Sequence, residues 1–264
     1  MFDCIIIGSG PAGVSASLYL KRGGLNILVL SNGSKALKNA HINNYYGFLD
    51  STGESLYEIG IKQLDKNSIL HKEEEVITIL NEDKLIVKTT LSSYETKRII
   101  LAIGSSKKLD ERFKKYLGNG VSLCAHCDAP LYKNRKIYYS GISPYKEEIY
   151  KELSLYSKDI EEIEYSDSLT LYGDFFLEGV VVNEKKIELD NLFLALPLTQ
   201  TSLLQTLGVM LDPKDYVKVD DKYMTNINGV YAIGDMIDGI HQVASAVYQG
   251  MMCALKIIEE YKNA

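Results

Sequence analysis

Short apolar runs alternate along this chain with amphipathic stretches and glycine-bearing turns. FDCIIIG (2–8) reads as a buried strand, GSGPAG (8–13) as a glycine turn, and VSASLYLKRGG (14–24) as a helix stopped at Gly23 and Gly24. NILVLS (26–31) is the next strand, so the first thirty residues predict one βαβ unit. Pro11 near the first turn and glycine at the end are the start and stop signals a helix uses. Further on, the pattern predicts a helix over SLYEIGIKQLDKN (55–67) and strands at EVITIL (75–80), KLIVKTT (84–90) and KRIILAIGSS (97–106). KIYYSG (136–141) is a strand and SPYKEEIYKELSLYS (143–157) a helix. An acidic strand region, DIEEIEYSDSLTLYG (159–173), and strands at EGVVVNEKKIEL (178–189) and NLFLALP (191–197) follow. A last helix runs from about 242 to 261.

Strands alternating with helices predict an α/β protein with parallel sheets. Such folds bind ligands outside the carboxyl ends of their strands. The turns at Gly8–Gly13, Gly104 and Gly234 each follow an apolar strand, so all three suit one crevice.

Composition narrows the class. A length of 264 residues favours two domains, and 46% hydrophobic residues is ordinary for a globular core. The net charge of −6 argues against general nucleic-acid binding and against attraction to an anionic membrane. Apolar runs are too short for a transmembrane helix. The amino terminus has no basic region before its apolar run, so it reads as a strand rather than a signal peptide. Four cysteines do not make a secreted disulfide scaffold, and the expected compartment is the cytoplasm. Cys4 and Cys253 fall in predicted core elements, which leaves Cys124 and Cys127 for chemistry.

The turn Gly8-Ser9-Gly10-Pro11-Ala12-Gly13 fits a dinucleotide fingerprint. Gly8 allows the tight turn, Gly10 lets a pyrophosphate reach the backbone, and Gly13 permits close helix–strand packing. The helix start offers unpaired N–H groups and a positive dipole end to the phosphates. The acidic residue that should close the second strand on a ribose is missing, since LVLSNGS puts Ser31 or Asn32 there.

Cys124 and Cys127 form a CxxC with three readings: a zinc half-site, a structural accident or a redox dithiol. Zinc lacks further ligands at metal-binding spacing. CxxC near a βαβ pattern favours the dithiol, and Asp128 stands ready to shuttle its proton.

GSGPAG, NNYYGF (43–48), LAIGSS (101–106), GVSLCAHCDAP (120–130) and NGVYAIGDMIDGIHQVASAV (228–247) together resemble the thioredoxin reductase family in its low-molecular-weight bacterial form. The resemblance spans nearly the whole chain. It implies a two-domain pyridine nucleotide-disulfide oxidoreductase fold. An FAD-binding Rossmann-type domain would take residues 1–110 and 198–264, and a shortened, degenerate second Rossmann-like domain 111–197. FAD would lie on Gly8, Ser9, Gly10, Pro11, Ala12 and Gly13, with Ser31, Asn44, Val76, Gly104 and Gly234 around it. Asp235 would bind the ribityl chain, and His241, Gln242 and Val243 would lie along the isoalloxazine. His241 stands where the family has arginine, and Tyr46 where it has proline. Cys127 would face the flavin, Cys124 would attack the disulfide of thioredoxin, and Asp128 would be the acid/base. A homodimer, and a domain rotation about segments near 110 and 197, are also implied.

The family's second glycine fingerprint, where NADPH binds, is absent. KIYYSG runs into ISPYKEE, leaving Gly141 alone. Where arginines should meet a 2′-phosphate, DIEEIEYSDS supplies Asp159, Glu161, Glu162, Glu164 and Asp167. This pattern resembles the ferredoxin-dependent flavin thioredoxin reductases, which implies ferredoxin as electron donor and thioredoxin as acceptor. The alternatives are an NAD(P)H-dependent reductase with a divergent site, or a flavin redox partner of another acceptor. Ferredoxin docking would need a basic face, for which SKKLDERFKKY offers Lys107, Lys108, Arg112, Lys114 and Lys115, and YKNRK adds Lys133, Arg135 and Lys136.

Overall fold

The computed structural model describes residues 1–33, 37, 40–49, 51–105, 107, 109–198 and 202–263. The chain divides into two compact units, one formed by 1–106 with 200–264 and the other by 107–199.

The first unit is built on a five-stranded parallel sheet in the order Val230–Ala232, Ile99–Leu101, Cys4–Ile7, Ile27–Ser31, Leu70–Glu73. Cys4–Ile7 is buried along its whole length, as a strand covered on both faces must be. Its residues alternate between two cores. Cys4 and Ile6 join Val29, Ile100 and Tyr231 under the helices Pro11–Arg22 and Val243–Asn263. Ile5 and Ile7 join Leu28, Leu30, Ile99 and Leu101 beneath Ile79, Leu85 and Val87. Those last three belong to an antiparallel sheet of Val76–Asn81, Leu85–Thr89 and Ser93–Thr96. Each fully buried Ile or Leu contributes about 1.5–3 kcal/mol, so this triple layer is the main anchor of the unit. The two helices touch closely because Gly250 has no side chain: a Cβ there would stand 2.3 Å from the Ala12 carbonyl oxygen.

The second unit repeats the plan in a smaller form. Its four-stranded parallel sheet runs Val121–Ser122, Leu192–Ala195, Ile137–Gly141, Ile160–Glu162. One face packs on Ala125, Ala129, Ile149 and Leu153, and the other on Leu169, Leu177 and Val180. The acidic region 159–173 divides into two strands, Ile160–Glu162 and Thr170–Tyr172. EGVVVNEKKIEL, predicted as one strand, is a hairpin of Gly179–Val182 and Lys185–Glu188. Asn183 and Glu184 both take positive φ, 49° and 63°, and make its two-residue turn. At the unit's margin, Lys107 forms an antiparallel bridge with Leu198. Among the described residues, no helix is long and apolar enough to cross a membrane.

Candidate functional site

In the first unit the glycine turn sits between the strand Cys4–Ile7 and the helix Pro11–Arg22. Gly8 has φ +112°, and a Cβ on it would lie 2.2 Å from the Ala102 oxygen. A Cβ on Gly13 would lie 2.0 Å from the Gly8 oxygen. Both are therefore fixed by backbone packing. Gly10 differs, because nothing lies within 4 Å of its missing Cβ. Space is left open there, at the start of a helix with no side-chain cap and no acidic residue in its first turn. Uncapped N–H groups, a positive helix end and an open backbone fit a dinucleotide pyrophosphate.

Ser9 lies 2.7 Å from the Ser31 hydroxyl and 3.2 Å from that of Tyr57, which fastens the turn to the end of the second strand. Ser31 also accepts the Gly33 N–H at 3.1 Å. Beside it, in register on the next strand, stands Glu73. Paired residues of parallel strands point to the same face, so Glu73 brings an exposed carboxylate next to Ser31. Sequence reasoning missed this residue, because register across strands cannot be read from spacing.

The late motif gathers around the end of the strand Val230–Ala232. Gly234 takes φ +79° and donates its N–H to Gln249 Oε1 at 2.7 Å. Burial pushes the Asp235 carboxyl above its ordinary range, and His241 acts in the opposite direction. His241 Nε2 is 3.1 Å from the Ile237 oxygen, and its ring is 5.1 Å from that of Tyr216. Asn44 donates to Gln242 Oε1 at 2.9 Å, joining two site residues 198 positions apart. Val243 opens the C-terminal helix, whose first turn also carries no acidic residue. Gly104, at φ +71°, turns the chain after Ile99–Leu101 with open space beside it. Val76 opens a strand and lies next to a register irregularity. The residues present thus fit FAD, apart from the place of Ser31.

In the second unit Cys124 and Cys127 are joined in a disulfide at the end of Val121–Ser122. Cys124 caps a short helix, Ala125–Asp128, and accepts the Cys127 N–H on its sulfur at 3.2 Å. Cys127 is exposed and Cys124 half-buried. Asp128 accepts the Ser122 hydroxyl at 2.6 Å, and Ser122 accepts the Cys124 N–H at 3.1 Å. A carboxylate is thereby oriented within the redox loop. His126 Nδ1 lies 3.3 Å from a Glu152 carboxylate oxygen.

Most of the basic run and its neighbours have partners inside their own unit. Lys107 donates to the Leu123 carbonyl at 2.8 Å. Arg112 Nη1 donates to the carbonyls of Ser166 and Leu169, at 2.8 Å and 2.6 Å. Lys115 donates to the Gly173 carbonyl at 2.9 Å, and Lys114 pairs with Glu111. Arg135 and Lys136 pair with Asp190 and Glu161. Lys107, Arg112 and Lys115 thus tie segments of their own unit together by donating to backbone carbonyls. Lys108 lies outside the described residues.

A parallel sheet carrying a glycine-turn dinucleotide site, joined to a unit with a CxxC disulfide, defines a disulfide oxidoreductase of the flavoprotein class. The sequence matches the family described as pyridine nucleotide-disulphide oxidoreductase over residues 2–144 and 158–250, and the chain belongs to that family. FAD is the cofactor of this fold. The chain is 29% identical to the thioredoxin reductase of Ureaplasma parvum serovar 3 over 298 positions, covering 97% of this chain and 95% of the relative. The alignment is longer than the chain of 264 residues, so it carries gaps in this chain. Among solved structures, thioredoxin reductase from Streptococcus pyogenes MGAS5005 superposes with a TM-score of 0.86 at 24% identity, covering 100% and 99% of the two chains. A ferredoxin-flavin thioredoxin reductase from Clostridium acetobutylicum is 28% identical with a TM-score of 0.60, covering 100% and 99%.

Proposed function

We propose that this chain is a flavin-dependent thioredoxin-disulfide reductase that draws its electrons from reduced ferredoxin instead of a pyridine nucleotide. The observation that carries the choice of donor is the second glycine position. Gly141 ends its strand packed against Ala195, where a Cβ would meet the Ala195 oxygen at 2.3 Å. The following helix, Tyr145–Leu153, has Glu147 and Glu148 in its first turn, and the Ser143 hydroxyl bonds Glu147 at 2.6 Å. Carboxylates therefore occupy the helix end that a pyrophosphate would need. Lys146 stands where a third glycine would allow close approach, and it reaches Glu162 at 2.7 Å. Glu162 closes the second strand, the place of a ribose ligand, but it also accepts Tyr139 at 3.1 Å. Burial, then the Glu162 charge, pushes the Tyr139 hydroxyl up to about 12, so it stays a donor to that carboxylate. These acidic and internally bonded groups favour a donor other than a pyridine nucleotide.

The first unit would hold FAD through Gly8–Gly13, Ser31 with Glu73, Asn44, Asp235 and Gln242. When bound, FAD accepts electrons singly and delivers them in pairs. Opening the Cys124–Cys127 bond consumes two electrons and two protons, one of which Asp128 would hand on. The Cys124 thiolate then attacks the thioredoxin disulfide, forming a mixed disulfide while the departing thioredoxin sulfur takes up a proton. Cys127 next attacks Cys124, which restores the internal disulfide and releases reduced thioredoxin. Low-potential ferredoxins lie near about −400 mV and thioredoxin near about −270 mV, so a pair of electrons releases roughly 6 kcal/mol.

The test is anaerobic mixing of the oxidised holoprotein with NADPH, NADH or reduced ferredoxin, following the flavin's visible absorbance. Bleaching by ferredoxin alone is expected. Rapid bleaching by NADPH or by NADH would overturn the donor.

A further inference from the structure

Lys107 begins the second unit and was expected to face solvent. Its side chain is instead half-buried, and its ammonium donates to the Leu123 carbonyl at 2.8 Å. That carbonyl belongs to the peptide that leads into Cys124. Burial pulls the Lys107 ammonium below its ordinary value, while Glu152 and Glu148 pull it back up. A lysine withdrawn from water needs a reason, since surface positions suit its charge better.

We propose that Lys107 is a positioning residue of the redox loop, holding the Leu123 peptide and supplying positive charge at the peptide that leads into Cys124. The proposal rests on Cys124–Cys127 being the working disulfide. The loop is otherwise acidic. Asp128 is bonded to Ser122 within it, Glu152 faces it through His126, and Glu148 lies on the same helix as Glu152. A thiolate forming among three carboxylates is disfavoured, and thiol–disulfide exchange needs the thiolate. Lys107 offsets that repulsion from one peptide bond away. His126, paired with Glu152, adds a second cation only when protonated. Clamped by Ser122, Leu123 and Lys107 together, the attacking sulfur keeps its place after its bond to Cys127 opens.

The holoprotein, reduced anaerobically with dithiothreitol, is alkylated with iodoacetamide across pH, and modification at Cys124 is resolved by mass spectrometry. In Lys107→Met the pH inflection for Cys124 moves upward, and the rate at neutral pH falls on the order of tenfold, equal to about one unit of thiol pKa. Lys107→Arg keeps the rate within about twofold of wild type, since charge and donor are retained. Identical pH profiles for wild type and Lys107→Met would overturn the proposal. Should Lys107→Met fail to fold, Glu148→Gln combined with Glu152→Gln reads the same balance in reverse. Its inflection moves downward, and an unmoved one counts equally against the proposal. Neither ferredoxin, a pyridine nucleotide nor thioredoxin takes part, so a wrong physiological donor leaves this result readable. A wild-type disulfide that dithiothreitol opens but reduced flavin does not would sink the underlying reading instead.

Discussion

The two units each place a glycine after a parallel strand and before a helix, and they use it differently. In the first, Gly10 faces open space and the helix Pro11–Arg22 begins without a cap or an acid. In the second, Gly141 is pressed on Ala195 and the helix Tyr145–Leu153 begins with Glu147, Glu148 and a bonded Ser143. A strand–turn–helix is thus only a scaffold for anion binding. Both helices begin without a side-chain cap, so what differs is the charge at the helix end and the room beside the glycine. The first unit keeps an open, acid-free end that a ligand can complete. The second carries two carboxylates in its first turn.

That contrast can be broken at several points. The largest effect is expected from the two glycines themselves. Gly10→Val should leave the apoprotein's Tm unchanged, because its Cβ meets nothing, yet weaken FAD binding at least about a hundredfold, or roughly 2.7 kcal/mol. Gly141→Ala should do the reverse, costing about 1–3 kcal/mol of stability by overpacking while FAD affinity holds. Fluorescence titration of apoprotein with FAD and thermal unfolding separate the two, and equal effects on both readouts would erase the distinction. Glu73→Gln sharpens the first site. If its carboxylate serves the ribose in place of the missing acid after Ile27–Ser31, affinity should fall about tenfold, in line with a charge-assisted hydrogen bond. Ser31→Glu in that background should restore it. Smallest is the pair Glu147→Gln and Glu148→Gln, expected to lower the Tm slightly and to leave NADPH unable to reduce the flavin. Reduction by NADPH in that variant would mean charge alone had closed the second site.

Much of this was legible in the sequence. Continuous apolar strands, the Gly8–Gly13 turn and CxxCD carry their own spacing rules, and the structure builds each where the pattern placed it. The loss of the second fingerprint was equally plain from ISPYKEE. What escaped were features set by register and by long-range burial. The hairpin at Asn183–Glu184 lacks the glycine that usually announces such a turn, so two strands read as one. Glu73 becomes relevant only through its neighbour across the sheet. Lys107 and Arg112 looked like surface charge because a run of basic residues says nothing about nearby carbonyls that need donors.

The bridge between Lys107 and Leu198 has a consequence for how such a chain changes over time. The redox unit enters and leaves through adjacent points, like a bracketed clause in a sentence. Its interior can lose residues without moving either bracket, because the closure already made at its base is kept. The gaps that the alignment with the Ureaplasma parvum relative requires in this chain are compatible with edits of that kind. The same geometry makes residues 107–198 a natural cassette, one that could be exchanged for the corresponding piece of a pyridine-nucleotide-using relative with the host sheet left intact.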